Sequence, residues 1–426
     1  MTTNVTTTLR TVEVETKRLA AYQPIVGEET VERLRALATP LQGARVLHVN
    51  ATAFGGGVAE ILHTLVPLMR DVGLDAHWQV INGADEFFTV TKAMHNGLQG
   101  MDIPFTPEMQ TIWQRYNEMN ARALTGDYDF VVVHDPQPAG LHHYTGGRGG
   151  RVWIWRCHID TSHPNPAYWD FLAPYIAEYD AAIFTMKEYV GPGVSFHHLA
   201  IIPPTIDPLS PKNLPLPLEE ARAIVARYGF DLHRPLLVQV SRFDPWKDPL
   251  GVIDCYRLVK KEVPEVQLAL VGVMATDDPE GWDYLDRTIR HAGEDFDIRI
   301  LHNFHGVGPR EVNAFQTVAD VVIQKSLREG FGLVVTEAMW KGKPVVGGNV
   351  GGIPLQIIDG ETGFLVNSVE ECAERALWLL QHPEESKRMG QAARERVREH
   401  FLVTRLLADY LQLFRNLQKQ SVHEER

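Results

Sequence analysis

Cysteine is scarce in this chain of 426 residues: there are three, Cys157, Cys255 and Cys372. An odd, scattered set makes neither a metal-binding spacing nor a disulfide framework. It fits thiols that simply pack in a reducing cytoplasm. Long apolar runs are also missing, since none approaches the roughly 18 residues a membrane helix needs. The opening MTTNVTTTLR is polar and has no apolar core of a secretory leader. A soluble, cytoplasmic protein with no membrane partner is expected. Positive charge is in deficit: 41 Lys and Arg stand against 54 Asp and Glu, a formal net charge of -13. Such a field disfavours nucleic acid and anionic membrane as partners, while a local basic site can still hold an anion. Low-complexity sequence is absent too.

What is present is the composition of a soluble globular protein, 44% hydrophobic and 22% charged. The length suggests two domains. Short apolar strand candidates recur at ARVLHVN, AHWQVING, FVVVHD, RVWIWRCHI and AAIFTM, with helical patterns between several of them. A second series runs PLLVQVSRFDP, VQLALVGVM, IRILHNF, DVVIQKS, PVVGGNV and GFLV. Continuous apolar strands alternating with helices indicate parallel sheets. The proline-rich stretch 199–223 breaks the rhythm and reads as an interdomain connection. The expected fold class is therefore α/β, with two Rossmann-like, doubly wound parallel-sheet domains facing across a cleft. The boundaries are 1–205 and 206–399, with a helix at about 400–426 packing back on the first domain. Ligands in such sheets bind beyond the carboxyl ends of the strands.

Four stretches at those ends could carry chemistry. In LREGFGLVVTEAMWKGK, Glu329 lies in a loop and Glu337 just over one turn into a helix. The free N–H groups near Gly332, Leu333 and Val334 suit a phosphate. The acids suit hydroxyl groups, so the stretch reads as a sugar-nucleotide site. Spacing alone is equally served by one capping acid and one surface acid. In SRFDPWKD, Arg242 and Lys247 can clamp a diphosphate and stabilise its departure. Two exposed cations would look the same; a second anion site nearby favours the clamp. FGGGVAE lets backbone approach a ligand at Gly56 and Gly57, or is a plain turn. It is not the dinucleotide pattern. VVVHDPQP and WRCHIDTSH offer His134, Asp135, His158, Asp160 and His163. They contain no H-x-H or H-x-x-x-H, so recognition of sugar hydroxyls is preferred to a metal site.

Together these stretches resemble the retaining glycosyltransferases of the GT-B fold, family 4. That family has an acid, seven residues and an acid, with Gly-Phe-Gly after the first, as in EGFGLVVTE here. It also has an Arg-x-x-x-x-Lys loop, matched by Arg242 and Lys247, and a glycine loop with a following acid, matched by Gly55–Gly57 and Glu60. A histidine closing an N-domain strand is matched by His158. GGNVGGIPLQIIDGETGFLV matches a later glycine-proline stretch, except that Leu355 and Gln356 stand where many members carry an acid. The likeness spans roughly Arg45 to Val366 and is greatest to trehalose-forming synthases and phosphorylases.

The resemblance implies transfer of glucose from a nucleoside diphosphate glucose to free glucose, with retention and reversibly, giving α,α-trehalose. A trehalose phosphorylase, or a family 4 enzyme with another sugar acceptor, is the alternative. It implies that Arg242 and Lys247 hold the diphosphate and that Glu329 binds donor sugar hydroxyls. Backbone groups of Gly330, Phe331, Gly332, Leu333 and Val334 would meet sugar and phosphate, and Glu337 the ribose. His158 would sit by the reacting sugar, with Asp135, His134 and Asp160 on the acceptor side. No cofactor is obligatory and no metal is fixed by the protein, although the nucleotide can carry Mg2+. A homodimer is implied.

Overall fold

The computed structural model describes residues 8–54, 56–274 and 279–424. The chain divides into two units. One takes the sequence up to Pro204 and again from Val403; the other is Thr205–Leu402.

The first unit is built on seven strands: β1 (Arg10–Thr11), β2 (Arg45–Asn50), β3 (Asp75–Val80), β4 (Tyr128–His134), β5 (Gly150–Arg156), β6 (Ala181–Phe184) and β7 (His198–Ile201). Their order in the sheet is β1-β3-β2-β4-β5-β6-β7. All pairings are parallel except that of β1 with β3. The second unit has β8 (Leu236–Val240), β9 (Gln267–Gly272), β10 (Ile298–His302), β11 (Val321–Gln324), β12 (Val345–Gly348) and β13 (Gly363–Val366). Their order is β10-β9-β8-β11-β12-β13, parallel throughout.

Hydrophobic patterning explains why these segments are central strands. Every residue of LLVQV, QLALVG and VVIQ is buried, as a parallel sheet covered on both faces requires. The helix Gly57–Asp71 is buried on more than one side, with every residue from Thr64 to Met69 buried, because it packs on β3 and also under the helix Val403–Glu424. Two cores result. One gathers Val131, Val133, Trp153, Trp155 and Phe184; the other gathers Leu237, Leu268, Leu270, Ile323 and Val346.

Each sheet reverses its winding once. In the first unit the reversal falls between β2 and β4, and in the second between β8 and β11. The carboxyl ends at such a reversal form an open crevice, the preferred ligand position in this architecture.

The helix Val403–Glu424 belongs to the first unit, packing on the helices Glu28–Ala38 and Gly57–Asp71. Phe414 stacks on Phe130 with ring centroids 4.4 Å apart. The Arg405 guanidinium donates to the Pro203 carbonyl at 2.6 Å. The proline-rich stretch is more structured than its composition suggests. It begins inside β7 and ends in the helix Leu218–Ala226. The strand expected through WRCHI stops at Arg156, which leaves His158 in the following loop.

Candidate active site

In the second unit the loops after β8 and β11 are laced together. Asp244 holds the first loop by accepting from the N–H groups of Trp246 and Lys247 at 3.0 and 3.2 Å. The Leu327 N–H donates to the Trp246 carbonyl at 2.7 Å. The Arg328 guanidinium lies over the Trp246 ring, 4.9 Å from its centroid. Lys247 Nζ then reaches Glu329 Oε2 at 2.5 Å, with side chains only 15% and 9% exposed. Ser326 Oγ donates to the same carboxylate oxygen at 3.3 Å. Arg242 is different: it is 69% exposed and lies 3.4 Å from Asp244 Oδ2. An exposed guanidinium and a held, mostly buried ammonium thus stand on the same loop.

Gly332 makes the turn between Glu329 and the helix Leu333–Trp340. Its φ of 83° is left-handed, and a Cβ there would come within 3.1 Å of Glu329 Cγ. Among the described residues, no hydrogen bond uses the N–H groups of Leu333 or Val334, the first two of the helix. Phe331 is buried, so its ring packs on Phe401 and only its backbone can face a ligand. Its carbonyl accepts from Gln356 Nε2, whose Oε1 accepts from Thr336. Gln356, the departure noted in the glycine-proline stretch, is thus a strut for the loop.

Glu337 is 3% exposed, with Oε1 3.7 Å from Lys212 Nζ. Its Oε2 is buried and has no hydrogen-bond partner among the described residues. Such an oxygen is costly unless something donates to it. Lys341, one turn on, donates to the Glu337 carbonyl and to Asn213 Oδ1, both at 3.1 Å. Burial brings the Lys341 ammonium down to about 8, against the pull of Glu337.

In the first unit, three histidines line up across the strands. His48 Nδ1 lies 3.0 Å from His134 Nε2, and His134 Nδ1 lies 3.0 Å from His158 Nε2. His134 is buried with both ring nitrogens engaged, so it touches other groups only through these two neighbours. Asp135 has a left-handed φ of 65°. It shares that conformation with Asp248 alone among the described non-glycine residues; Asp135 directly follows β4, whereas Asp248 caps the helix Pro249–Glu262. Asp135 Oδ1 accepts from the His158 N–H at 2.8 Å. Burial pushes its carboxyl up to about 7, with the His158 N–H and the Arg156 guanidinium pulling the other way. Asp160 Oδ1 closes its own turn on Ser162 at 2.9 and 2.6 Å. His163 is exposed and contacts Ser162 Oγ at 3.1 Å. In the glycine loop, Gly56 has a φ of 88° and caps the helix begun by Gly57, while Gly55 lies outside the described residues. No group of three or more His, Cys, Asp or Glu among the described residues could hold a metal ion.

Residues 48–191 match the family described as trehalose synthase, N-terminal domain, and residues 221–396 match glycosyl transferases group 1. A trehalose synthase from Rubrobacter xylanophilus is 56% identical over 405 residues, covering 94% of this chain and 97% of that protein. The chain belongs to the trehalose synthase family of group 1 glycosyl transferases. A trehalose phosphorylase from Pleurotus pulmonarius is 28% identical over 395 residues, 82% of this chain but 54% of that protein. Among solved structures, a UDP-forming α,α-trehalose-phosphate synthase from Burkholderia xenovorans aligns with a TM-score of 0.71 at 15% identity, covering 88% of this chain and 99% of that one. At that identity the likeness is one of fold, and the fold is GT-B.

In this trehalose synthase family member the loops after β8 and β11 bring Lys247 to Glu329, while His48 of β2, His134 of β4 and His158 after β5 stand in line. Two polar residues packed beside these motifs carry no local signal. His48 sits inside the apolar strand RVLHVN, where a lone histidine reads as core. Lys325, buried and ion-paired with Asp248, reads as an ordinary strand-end lysine. A recurring histidine at successive parallel strands was the available signal for the first.

Proposed function

We propose that this protein is a retaining glucosyltransferase that moves glucose from a nucleoside diphosphate glucose to free glucose, giving α,α-trehalose, and that the reaction runs both ways. The observation that carries the proposal is the Lys247–Glu329 pair beside the start of the helix Leu333–Trp340, with the open oxygen of Glu337 in the same helix. Lys247 and Arg242 hold the diphosphate, and the N–H groups of Leu333 and Val334 meet a phosphate or sugar oxygen. Glu329 accepts from glucose hydroxyls and Glu337 from the ribose. Gly56 and Gly57 allow the backbone of the first unit to come near the sugar. Asp135 and Asp160 receive the acceptor, with His158 beside the reacting sugar and His134 behind it. The Pleurotus likeness keeps phosphate in the assay as a rival co-substrate.

The chemistry follows from the donor set. The bond from C1 to the phosphate oxygen breaks, and negative charge grows on the diphosphate beside two cations. The acceptor hydroxyl attacks on the same face. Its proton passes to the departing phosphate oxygen, so configuration is kept without a covalent adduct. Glu329, already committed to Lys247, suits hydroxyl recognition rather than nucleophilic attack. Incubation with trehalose and ADP, UDP, GDP or inorganic phosphate tests the proposal. An α-configured nucleoside diphosphate glucose, seen by proton NMR, is the expected product. Glucose 1-phosphate made only from phosphate, or no product with any co-substrate, would overturn it.

A further inference from the structure

We propose that His48, His134 and His158 form a hydrogen-bonded chain of fixed direction, every ring carrying its hydrogen on Nδ1, so that His158 presents a donor and never a base to its ligand. The proposal rests on the transferase reading only for naming that ligand as a sugar.

Each of the two 3.0 Å contacts between ring nitrogens needs one hydrogen. A neutral imidazole has one to give. The direction of the first contact therefore dictates the second. If His48 Nδ1–H donates to His134 Nε2, then His134 carries its hydrogen on Nδ1 and donates to His158 Nε2. His158 must in turn carry its hydrogen on Nδ1. The reverse direction puts all three hydrogens on Nε2.

The ends decide between the two. His48 is fully buried, and its Nε2 has no partner among the described residues. Tyr410, from the last helix, packs edge-on against the His48 ring with ring centroids 5.8 Å apart. The reverse direction would strand a buried N–H there, and orphaned donors are rarer in folded proteins than under-used acceptors. The other end is half-buried at His158, and no described residue bonds its Nδ1. A hydrogen on that nitrogen can reach water or a ligand. Neutrality is secured by the surroundings. Burial brings the His48 ring down to about 3, and burial followed by the neighbouring charges holds His134 and His158 well below the ordinary range.

The consequence concerns the proton of the acceptor. His158 Nδ1 already holds a hydrogen and its Nε2 lone pair is occupied, so the ring cannot take another. It can only donate to a sugar oxygen. His48 and His134 are positioning residues that impose the tautomer.

The test reads the tautomer directly. Full-length, ligand-free protein with 15N-labelled histidine rings gives long-range proton–nitrogen spectra. The chain must be picked out of 18 histidines, by signals that move in His48→Asn and His158→Asn. Protonated Nδ1 on His134 and His158 is expected; protonated Nε2 on His134 overturns the proposal. The trehalose assay supplies a second reading. His48→Phe should lower kcat/KM about tenfold, the worth of one hydrogen bond, while His48→Asn, whose amide reaches the Nδ1 position, stays within about twofold. Equal loss in both variants, or none in His48→Phe, overturns the positioning role. Nδ1-protonated rings in a protein that transfers no glucose would leave the chain standing and remove the transferase reading.

Discussion

Lys247 and Glu329 hold each other inside a crevice where neither is well hydrated, so each is stabilised mainly by its partner. Lys247→Ala removes the ammonium from the diphosphate and strands the carboxylate. It should lower kcat by roughly 10²–10³, the usual loss for one electrostatic donor. Near-full turnover in the variant would remove Lys247 from the mechanism. Lys247→Arg should not restore it, since a planar fork does not fit the place of a point charge. Asp135 carries the pH dependence. Its carboxyl rises from 3.8 to about 7 on burial, so between those values the folded chain holds a proton that the unfolded chain has lost. The Asp135 contribution to stability therefore falls as pH rises through that window and levels off above it. His48, His134 and His158, held neutral in the fold, contribute in the opposite sense and lose stability as pH falls below the ordinary histidine range. Acceptor binding by the carboxylate changes in the opposite sense to the Asp135 contribution, with kcat/KM for glucose rising through about pH 7. Asp135→Asn should flatten the kcat/KM curve and leave the stability curve with only the histidine contribution, rising with pH. A rising limb of kcat/KM that survives in Asp135→Asn assigns the titration elsewhere.

The loops are held by backbone contact that only glycine permits. A Cβ on Gly348 would come within 2.4 Å of the Ser326 carbonyl, and one on Gly352 within 2.7 Å of the Gly330 carbonyl. The loop 326–332 is thus pressed against the turn after β12. Gly352→Ala must push Gly330 and Glu329 aside. Overpacking of this kind costs about 1–3 kcal/mol. Activity should suffer more than stability, because Glu329 is displaced from Lys247. A variant with normal kcat/KM and only a lowered Tm would show that the loop tolerates the shift. This scale also marks what the sequence made legible. β2, β8, β9 and β11 were plain because parallel strands read as unbroken apolar runs. Glu329 and Glu337 were plain because a loop and one helical turn fix their spacing locally. The Lys247–Glu329 contact joins residues 82 apart, and no local pattern encodes it. β1 has two residues and β7 alternates half-buried and exposed positions beside prolines, so neither carried a strand signal.

The order of the chain makes the first unit discontinuous: Thr205–Leu402 must be traversed before the helix Val403–Glu424 can return to it. That helix is no appendage. It lays Phe414, fully buried, on Phe130 of β4, and brings Tyr410 against His48 of β2. The two strands it covers are the pair at which the first sheet reverses its winding, so a C-terminal segment backs the strands that end at Asp135 and the glycine loop. Phe414→Ala should cost about 3–5 kcal/mol, the range for a truncated core aromatic. The loss belongs to one unit. Hydrogen exchange followed by mass spectrometry should show weaker protection in peptides of β2, β4 and β5 and little change in peptides of β8, β9 and β11. Donor affinity, measured by calorimetry with a nucleoside diphosphate, should hold while glucose affinity falls. Equal loss of protection in both units would mean that the chain unfolds as one block and that the last helix supports both.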